Sequence, residues 1–367
     1  MAEMIKYDSS YWEDVDRVLQ CVPNLQKIHG KSILITGGTG MICSSLVELL
    51  FHLNEKYSAN IQIILAGRSL ERTCKRFYRW VNKTDFTFVQ YDATEKQELS
   101  ISVDYIVHGA SNASPAVYVK EPVETILANI VGLQSLLSMA VKMKSERVLY
   151  ISSSEVYGNK AENRPYQETD YGYVDILNPR ASYPCAKRTA ETLCIAYGEE
   201  YGLDTVIVRP GHIYGPSITD SDCRASAQFT RNAVRGEDIA MKSAGLQLRS
   251  YCYTLDCASA ILTVLLNGEK GNTYNISNKN SVVTIGDMAK ALAKAVGRQV
   301  VYENASETEI KGYNLMSNSS LDAEKLEVLG WRAEFGLQEG AEKQLDISKG
   351  DLCPFKRIWR YIICSII

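Results

Sequence analysis

The feature that most constrains this chain is the stretch Lys31–Leu50, where a short apolar run, a glycine cluster and a helical pattern follow one another without a linker. Ser32–Thr36 (SILIT) has the β-branched, largely apolar character of a strand buried in a parallel sheet. Gly37, Gly38 and Gly40 follow at once, and from Met41 and Ile42 onward the apolar spacing turns helical. Such a turn lets the backbone come close to a pyrophosphate, whose charge then rests on the unpaired N–H groups at the helix N-terminus. The stretch therefore predicts a dinucleotide site. Where a third glycine would let helix and strand pack closely, this chain has Cys43. A thiol at a helix start can have a lowered pKa; a small packing residue is the simpler reading.

The rest of the composition narrows the class. Of 367 residues, 46% are hydrophobic and 23% charged, with a formal net charge of -3. That balance suits an enzyme with a large core or two unequal lobes, and it argues against nucleic acid as a partner, since phosphate neutralisation needs a basic face. Ten cysteines are scattered without a C-x-x-C pair, and there are only four histidines. This reads as reduced thiols in a cytoplasmic protein, with no metal centre. The polar, acidic start has no secretory character, and no apolar run approaches the roughly 20 residues that span a bilayer.

Residues 1–30 read as an accessory segment, with Tyr11, Trp12, Val15, Val18 and Leu19 at helical spacing. After the glycine turn, strands are expected at 61–66, 86–90, 104–108, 147–152 and 204–209, and helices at 69–80 and 122–143. Strands alternating with helices of this length predict an α/β fold, a doubly wound parallel sheet of Rossmann type over 31–210. Ligand then binds beyond the carboxyl ends of the strands. From 211 to 345 the alternation fades, which suggests a smaller substrate-binding lobe that re-enters the sheet.

The end of the second strand discriminates between dinucleotides. An acidic residue there would accept from the ribose hydroxyl of NAD. This chain has Ala66-Gly67-Arg68, with Arg72, Lys75 and Arg76 behind. A guanidinium without a carboxylate suits a 2′-phosphate, so the cofactor is expected to be NAD(P), with NADP(H) favoured over NAD(H). The plainer role for Arg68 is to open a solvated helix.

The chemistry-bearing residues lie farther on. Ser152-Ser153-Ser154-Glu155 ends the fifth strand, and Tyr183-Pro184-Cys185-Ala186-Lys187 opens a helical pattern. A Tyr and a Lys at i, i+4 share one face of a helix. The ammonium is expected to lower the phenol's pKa so that a phenolate can accept a proton near neutral pH, with Ser153 bracing the same substrate oxygen.

With these residues in place, the chain resembles the extended short-chain dehydrogenase/reductase family of nucleotide-sugar epimerases, dehydratases and decarboxylases. The resemblance covers about 30–345, through TGGTGMI, HGASNASP, SSSEVYG, YPCAK, RPGHIYGP and LGW. Ala110–Pro115 followed by Tyr118, the Ser154-Glu155 pair, and Pro179-Arg180-Ala181-Ser182-Tyr183 resemble UDP-glucuronate decarboxylases in particular. The resemblance implies Ser153, Glu155, Tyr183 and Lys187 as catalytic residues. It implies Gly37, Gly40, Met41, Ile42, Asp92 and Ala110 on the cofactor, together with Tyr183 and Lys187; Arg68 joins them from its own charge and place. It places Ser114, Tyr118, Asn129, Arg224 and Arg249 on the substrate, Arg249 gripping its diphosphate, while His212, off the family pattern, could donate to a phosphate or equally mark another substrate. Plainer roles exist for several: Asp92 as a helix cap, Asn129 bonded to backbone, Arg249 in an ion pair. A homodimer through paired helices is also implied.

Two departures matter. The acidic residue usual after the second strand is absent, and His212 stands where such decarboxylases carry Asn. Oxidation at C4 of a nucleotide sugar, followed by decarboxylation or by 4,6-dehydration, is the leading expectation. An NADPH-dependent reductase of a 4-keto sugar, a 4-epimerase and a non-catalytic dinucleotide sensor are the alternatives. The tail at 346–367 falls outside the resemblance. Its basic, aromatic amphipathic pattern suits either a peripheral membrane contact or docking on the body or a second subunit.

Overall fold

A computed structural model of the chain describes residues 8–218, 222–305 and 316–348. The amphipathic tail beyond Ser348 lies outside the described residues. Seven parallel strands form the central sheet: β1 (Ser32–Thr36), β2 (Gln62–Gly67), β3 (Phe86–Gln90), β4 (Tyr105–His108), β5 (Arg147–Ile151), β6 (Thr205–Pro210) and β7 (Thr273–Ile276). Their order is β3-β2-β1-β4-β5-β6-β7, so the winding reverses between β1 and β4 and opens a crevice above that pair. The strands agree with the sequence expectation to within a residue at either end. β7 is the strand that periodicity did not single out. It is only four residues long, and it returns after an excursion of more than sixty residues.

Both faces of the sheet are covered, which is why its strands are apolar throughout. Ile33 and Ile35 point into one core with α2 (Met41–Tyr57) and α8 (Thr254–Asn267), while Leu34 points into the other with α5 (Pro122–Met143) and α6 (Ser182–Tyr201). The helix expected over 69–80 ends early, as α3 (Leu70–Arg76). Phe77 and Trp80, three apart, mimic helical spacing, but they plug the core from a turn, with Trp80 stacked 4.6 Å from Phe51.

The accessory segment forms α1 (Ser9–Gln20), started by an Asp8 carboxylate that accepts from the Tyr11 amide at 3.1 Å. Tyr11, Val15, Val18 and Leu19 are buried in the core shared with α2 and α8, as their spacing predicts. Beyond β6, the short strands His212–Tyr214, Val282–Thr284 and Asn318–Ser319 gather around Leu248–Tyr253. Ile239–Met241 pairs separately with Val300–Tyr302. Of the chain beyond β6, Ser217, Asp222 and Arg224 reach the crevice.

Candidate active site

The cleft above β1 and β4, about 600 Å³, begins at the glycine turn. Gly37 has φ +70°, and a Cβ there would lie 2.7 Å from the Gly109 carbonyl oxygen, so only glycine lets the two loops meet. Thr36 holds them together. Its hydroxyl oxygen accepts from the amides of Gly109 and Ala110, both at 3.1 Å, and donates to Nδ1 of His108 at 2.8 Å. Burial pulls the His108 pKa down to about 3, which keeps that ring neutral and accepting.

Gly40 is the N-cap of α2 and has no side chain to cap it, so the helix N-terminus at Met41 and Ile42 opens on the cleft. That arrangement fits a pyrophosphate. Cys43 is buried with its sulfur over Gly109, and burial pushes its thiol up to about 12. It is a packing residue.

Arg68, Asp92 and Ala110 line the same cleft, as do Ser114, Tyr183, Lys187 and Arg224. Arg68 and its neighbour Arg72 are exposed, and neither has an ion-pair partner among the described residues. Asp92 does not cap a helix; its carboxylate accepts from the Thr94 amide at 2.9 Å and hydroxyl at 2.8 Å. Burial works against that charge, but the Thr94 bonds and Arg68 outweigh it and hold the carboxyl below its ordinary range.

At the inner end, the helical spacing of α6 puts Tyr183 and Lys187 beside the carboxyl end of β5. Ser153 sits within hydrogen-bonding reach of the phenol. Lys187 Nζ donates to the Ile151 carbonyl at 2.7 Å and lies 5.7 Å from the Tyr183 ring centre. The expected lowering of the phenol pKa by this ammonium is not what the structure shows. Burial pushes Tyr183 up to about 12 against the help of Ser153, and burial also pulls Lys187 down to about 7. Removing both groups from water favours their neutral forms, and that outweighs Ser153 and Arg224 beside the phenol and Glu191 beside the amine.

The other side of the site is assembled from distant segments, and several expectations change there. Tyr118 is buried, stacked on Tyr183 with ring centres 5.1 Å apart, so it backs the phenol and is absent from the cleft lining. Glu155 is ion-paired to Arg180 at 2.9 Å, and the same guanidinium donates to the Tyr118 hydroxyl at 3.3 Å. Arg180 thus ties the carboxylate to the ring behind the Tyr183 phenol. Sequence reading assigned it no role, although it was visible in the PRASY motif.

Asn129 does not reach the cleft. It is fully buried, donating to Ser111 and the Thr125 carbonyl and accepting from Tyr150 at 3.0 Å, because one turn of α5 turns it toward β5. It supports the Ser111 loop. Arg249 is likewise no open cation: it is 3% exposed and donates to the carbonyls of Leu248 and Met316. Burial lowers its pKa.

His212 packs edge-on to Tyr251, and burial together with the charges of Arg249 and Arg224 pulls it down to about 3. Arg224 reaches across the cleft. It forms a two-point pair with Asp222, a bond of 3.1 Å to the Ile213 carbonyl and a contact of 3.3 Å with the Met41 sulfur. Asp222, Arg180 and Tyr251 are the site residues that spacing alone did not reveal. Among the described residues no His, Cys, Asp or Glu cluster could hold a metal ion.

With this geometry established, comparison with known proteins gives a consistent picture. The NAD dependent epimerase/dehydratase family matches residues 33–277. UDP-glucuronic acid decarboxylase 6 of Arabidopsis thaliana is 33% identical over 310 residues, covering 84% of this chain and 86% of its own. UDP-glucuronic acid decarboxylase 1 of Xenopus tropicalis is 30% identical over 324 residues, covering 88% of this chain and 73% of its own. A dTDP-glucose 4,6-dehydratase from Streptomyces venezuelae, solved with NAD bound, aligns with a TM-score of 0.72 at 25% identity. That alignment covers 86% of this chain and 96% of the other.

Proposed function

Because the chain belongs to the NAD dependent epimerase/dehydratase family, we propose that it oxidises C4 of a nucleoside-diphosphate hexuronate and releases the sugar carboxylate as carbon dioxide. The observation that carries this reading is the pairing of Tyr183 and Lys187 at the inner end of a cleft that starts at an open helix N-terminus, with Ser153 beside the phenol. The two decarboxylase relatives support the choice of a hexuronate.

Gly37, Gly40, Met41 and Ile42 would hold the pyrophosphate of a nicotinamide dinucleotide, with Asp92 and Ala110 beyond. When bound, the dinucleotide supplies the hydride acceptor. Tyr183 takes the proton from O4 while Ser153 donates to the same oxygen. The 4-ketone stands β to the carboxylate. As the C5–C6 bond breaks, its electron pair moves toward the ketone oxygen, where Ser153 and Tyr183 stabilise it. A proton returned to C5 completes the step, and Glu155, held by Arg180, is the acid or base beside that carbon. With its pKa near 12 in the free protein, Tyr183 keeps its proton at neutral pH. It becomes a base only when positive charge enters the cleft, which couples proton removal to a loaded site.

A second reading rests on Arg68 and Arg72. Two exposed guanidiniums at the end of β2, with no carboxylate beside them on that strand end, suit a 2′-phosphate and favour NADP(H). NADPH would then reduce a 4-keto nucleotide sugar. Incubation with UDP-glucuronate and either NAD or NADP, following carbon dioxide and the reduced-nicotinamide absorbance, tests both. Carbon dioxide release is the expected result. NADPH consumption with a 4-keto sugar and no decarboxylation establishes the reductase. Sugar inversion without gas release establishes an epimerase, and binding without turnover of any sugar establishes a sensor.

The assignment of 31–210 to the nucleotide and most of 211–345 to the sugar belongs to the same proposal. So does a homodimer, supported by exposed Val123, Ile126 and Leu127 on α5 and Ile195 and Tyr201 on α6. Eight free cysteines among the described residues support a reducing, cytoplasmic location.

A further inference from the structure

We propose that α1, which lies before the family match begins at residue 33, is a working part of the cleft. Through Tyr11, Glu48 and Arg76 it positions Ser217, a residue of the cleft lining. Four separate segments meet in this relay. The Tyr11 hydroxyl on α1 donates to one oxygen of Glu48 on α2, and Arg76 on α3 donates to the other. The same Arg76 nitrogen donates to the Ser217 hydroxyl at 3.1 Å. Ser217 itself lines the cleft, along with Arg72 and Thr73 of α3 and the first turn of α2.

Glu48 is fully buried, and the Arg76 side chain is 9% exposed. A buried carboxylate is stable only with its donors in place, so the positions of Tyr11 and Arg76 are not independent of one another. A change at either end of the relay therefore reaches the other through one side chain. Arg76 is also removed from the pool of phosphate-binding candidates that its place behind Arg68 suggests, because its guanidinium faces the core. It is a positioning residue, as are Tyr11 and Glu48.

The seat of α1 is secured without the Tyr11 hydroxyl. Its apolar face is buried, Arg17 pairs with Glu339 at 2.7 Å, and Asp14 pairs with Lys343 at 2.9 Å. Tyr11→Phe thus breaks the relay and leaves the helix docked.

The test measures dinucleotide Kd by titration for the full-length wild type, Tyr11→Phe, Ser217→Ala and the double variant, with kcat and KM for the sugar nucleotide alongside. Tyr11→Phe is expected to raise dinucleotide Kd about fivefold, the scale of one ordinary hydrogen bond, because the loss reaches the cleft only through Arg76. Its effect on kcat is smaller than that. The double variant is expected to match the larger single effect, because both substitutions cut one chain of bonds. Independent, multiplying effects would overturn the proposal, as would an unchanged Kd in Tyr11→Phe. The inference rests on the cleft being a dinucleotide site. A wild type that binds neither NAD nor NADP refutes that reading, whereas a binding wild type with an indifferent Tyr11→Phe refutes the relay alone.

Discussion

The two ends of the cleft are built on different principles. The end proposed for the nucleotide is contiguous backbone: β1, the glycine turn and the first turn of α2 follow within a dozen residues, and one glycine contact with Gly109 closes it. The end proposed for the sugar is a matter of side chains from separated places: Tyr183 and Arg224 line it, and Tyr118, Glu155, Arg180 and His212 stand outside the lining. Backbone sites are set by local conformation and tolerate little. Side-chain sites are set by tertiary neighbours, and there a charge can be held in reserve, as Asp222 holds Arg224 and Arg180 holds Glu155.

Three experiments break or sharpen that contrast. The largest effect is expected at the sugar end, where Tyr183→Phe removes the base and leaves the ring stacked on Tyr118. The kcat should fall about 1000-fold, the middle of the usual range for a general base, with dinucleotide Kd nearly unchanged. A comparable loss of dinucleotide binding in this variant would mean that the two ends are not separable.

At the nucleotide end, Gly37→Ala forces a Cβ to within 3 Å of the Gly109 backbone, at a φ that alanine rarely adopts. Dinucleotide Kd should rise about 100-fold by isothermal titration, from backbone strain of a few kcal/mol. Wild-type affinity in this variant would show that the turn is softer than its packing implies.

The smallest effect per step, about tenfold for each pH unit, concerns the lysine beside the phenol. Folding lowers Lys187 from 10.5 to about 7 through burial. Between those values the unfolded chain binds a proton that the folded chain does not, so this residue makes stability rise with pH. The gain approaches about tenfold in the folding constant per pH unit, and below about pH 7 the burial penalty is present in full with no slope. Denaturant unfolding of wild type and Lys187→Met across that window should show stability rising with pH more steeply in the wild type, by up to about tenfold in the folding constant per pH unit, since the buried thiols and phenols titrate alike in both. Parallel slopes would place the lysine's proton elsewhere.

Much of this was legible without coordinates, wherever the signal was local. The strand edges, the docking face of α1 and the shared face of Tyr183 and Lys187 all follow from periods of two or 3.6 residues. Asn129 and Arg249 show the limit. Each is of the right type near the right segment, yet each is turned inward to partners far away in sequence, Tyr150 for one and Met316 for the other. Arg180 shows the reverse: its motif was visible, but its role depends on two side chains 25 and 62 residues earlier.

By itself, then, the amino-acid order determined the sheet, the glycine turn that opens a helix N-terminus on the cleft, and the presence of a phenol and an amine one helical turn apart, because those depend on short-range spacing. Only the tertiary structure decided which charges those groups carry and which arginines are free. Desolvation and ion pairing are properties of what surrounds a side chain, and its surroundings here come from every part of the fold.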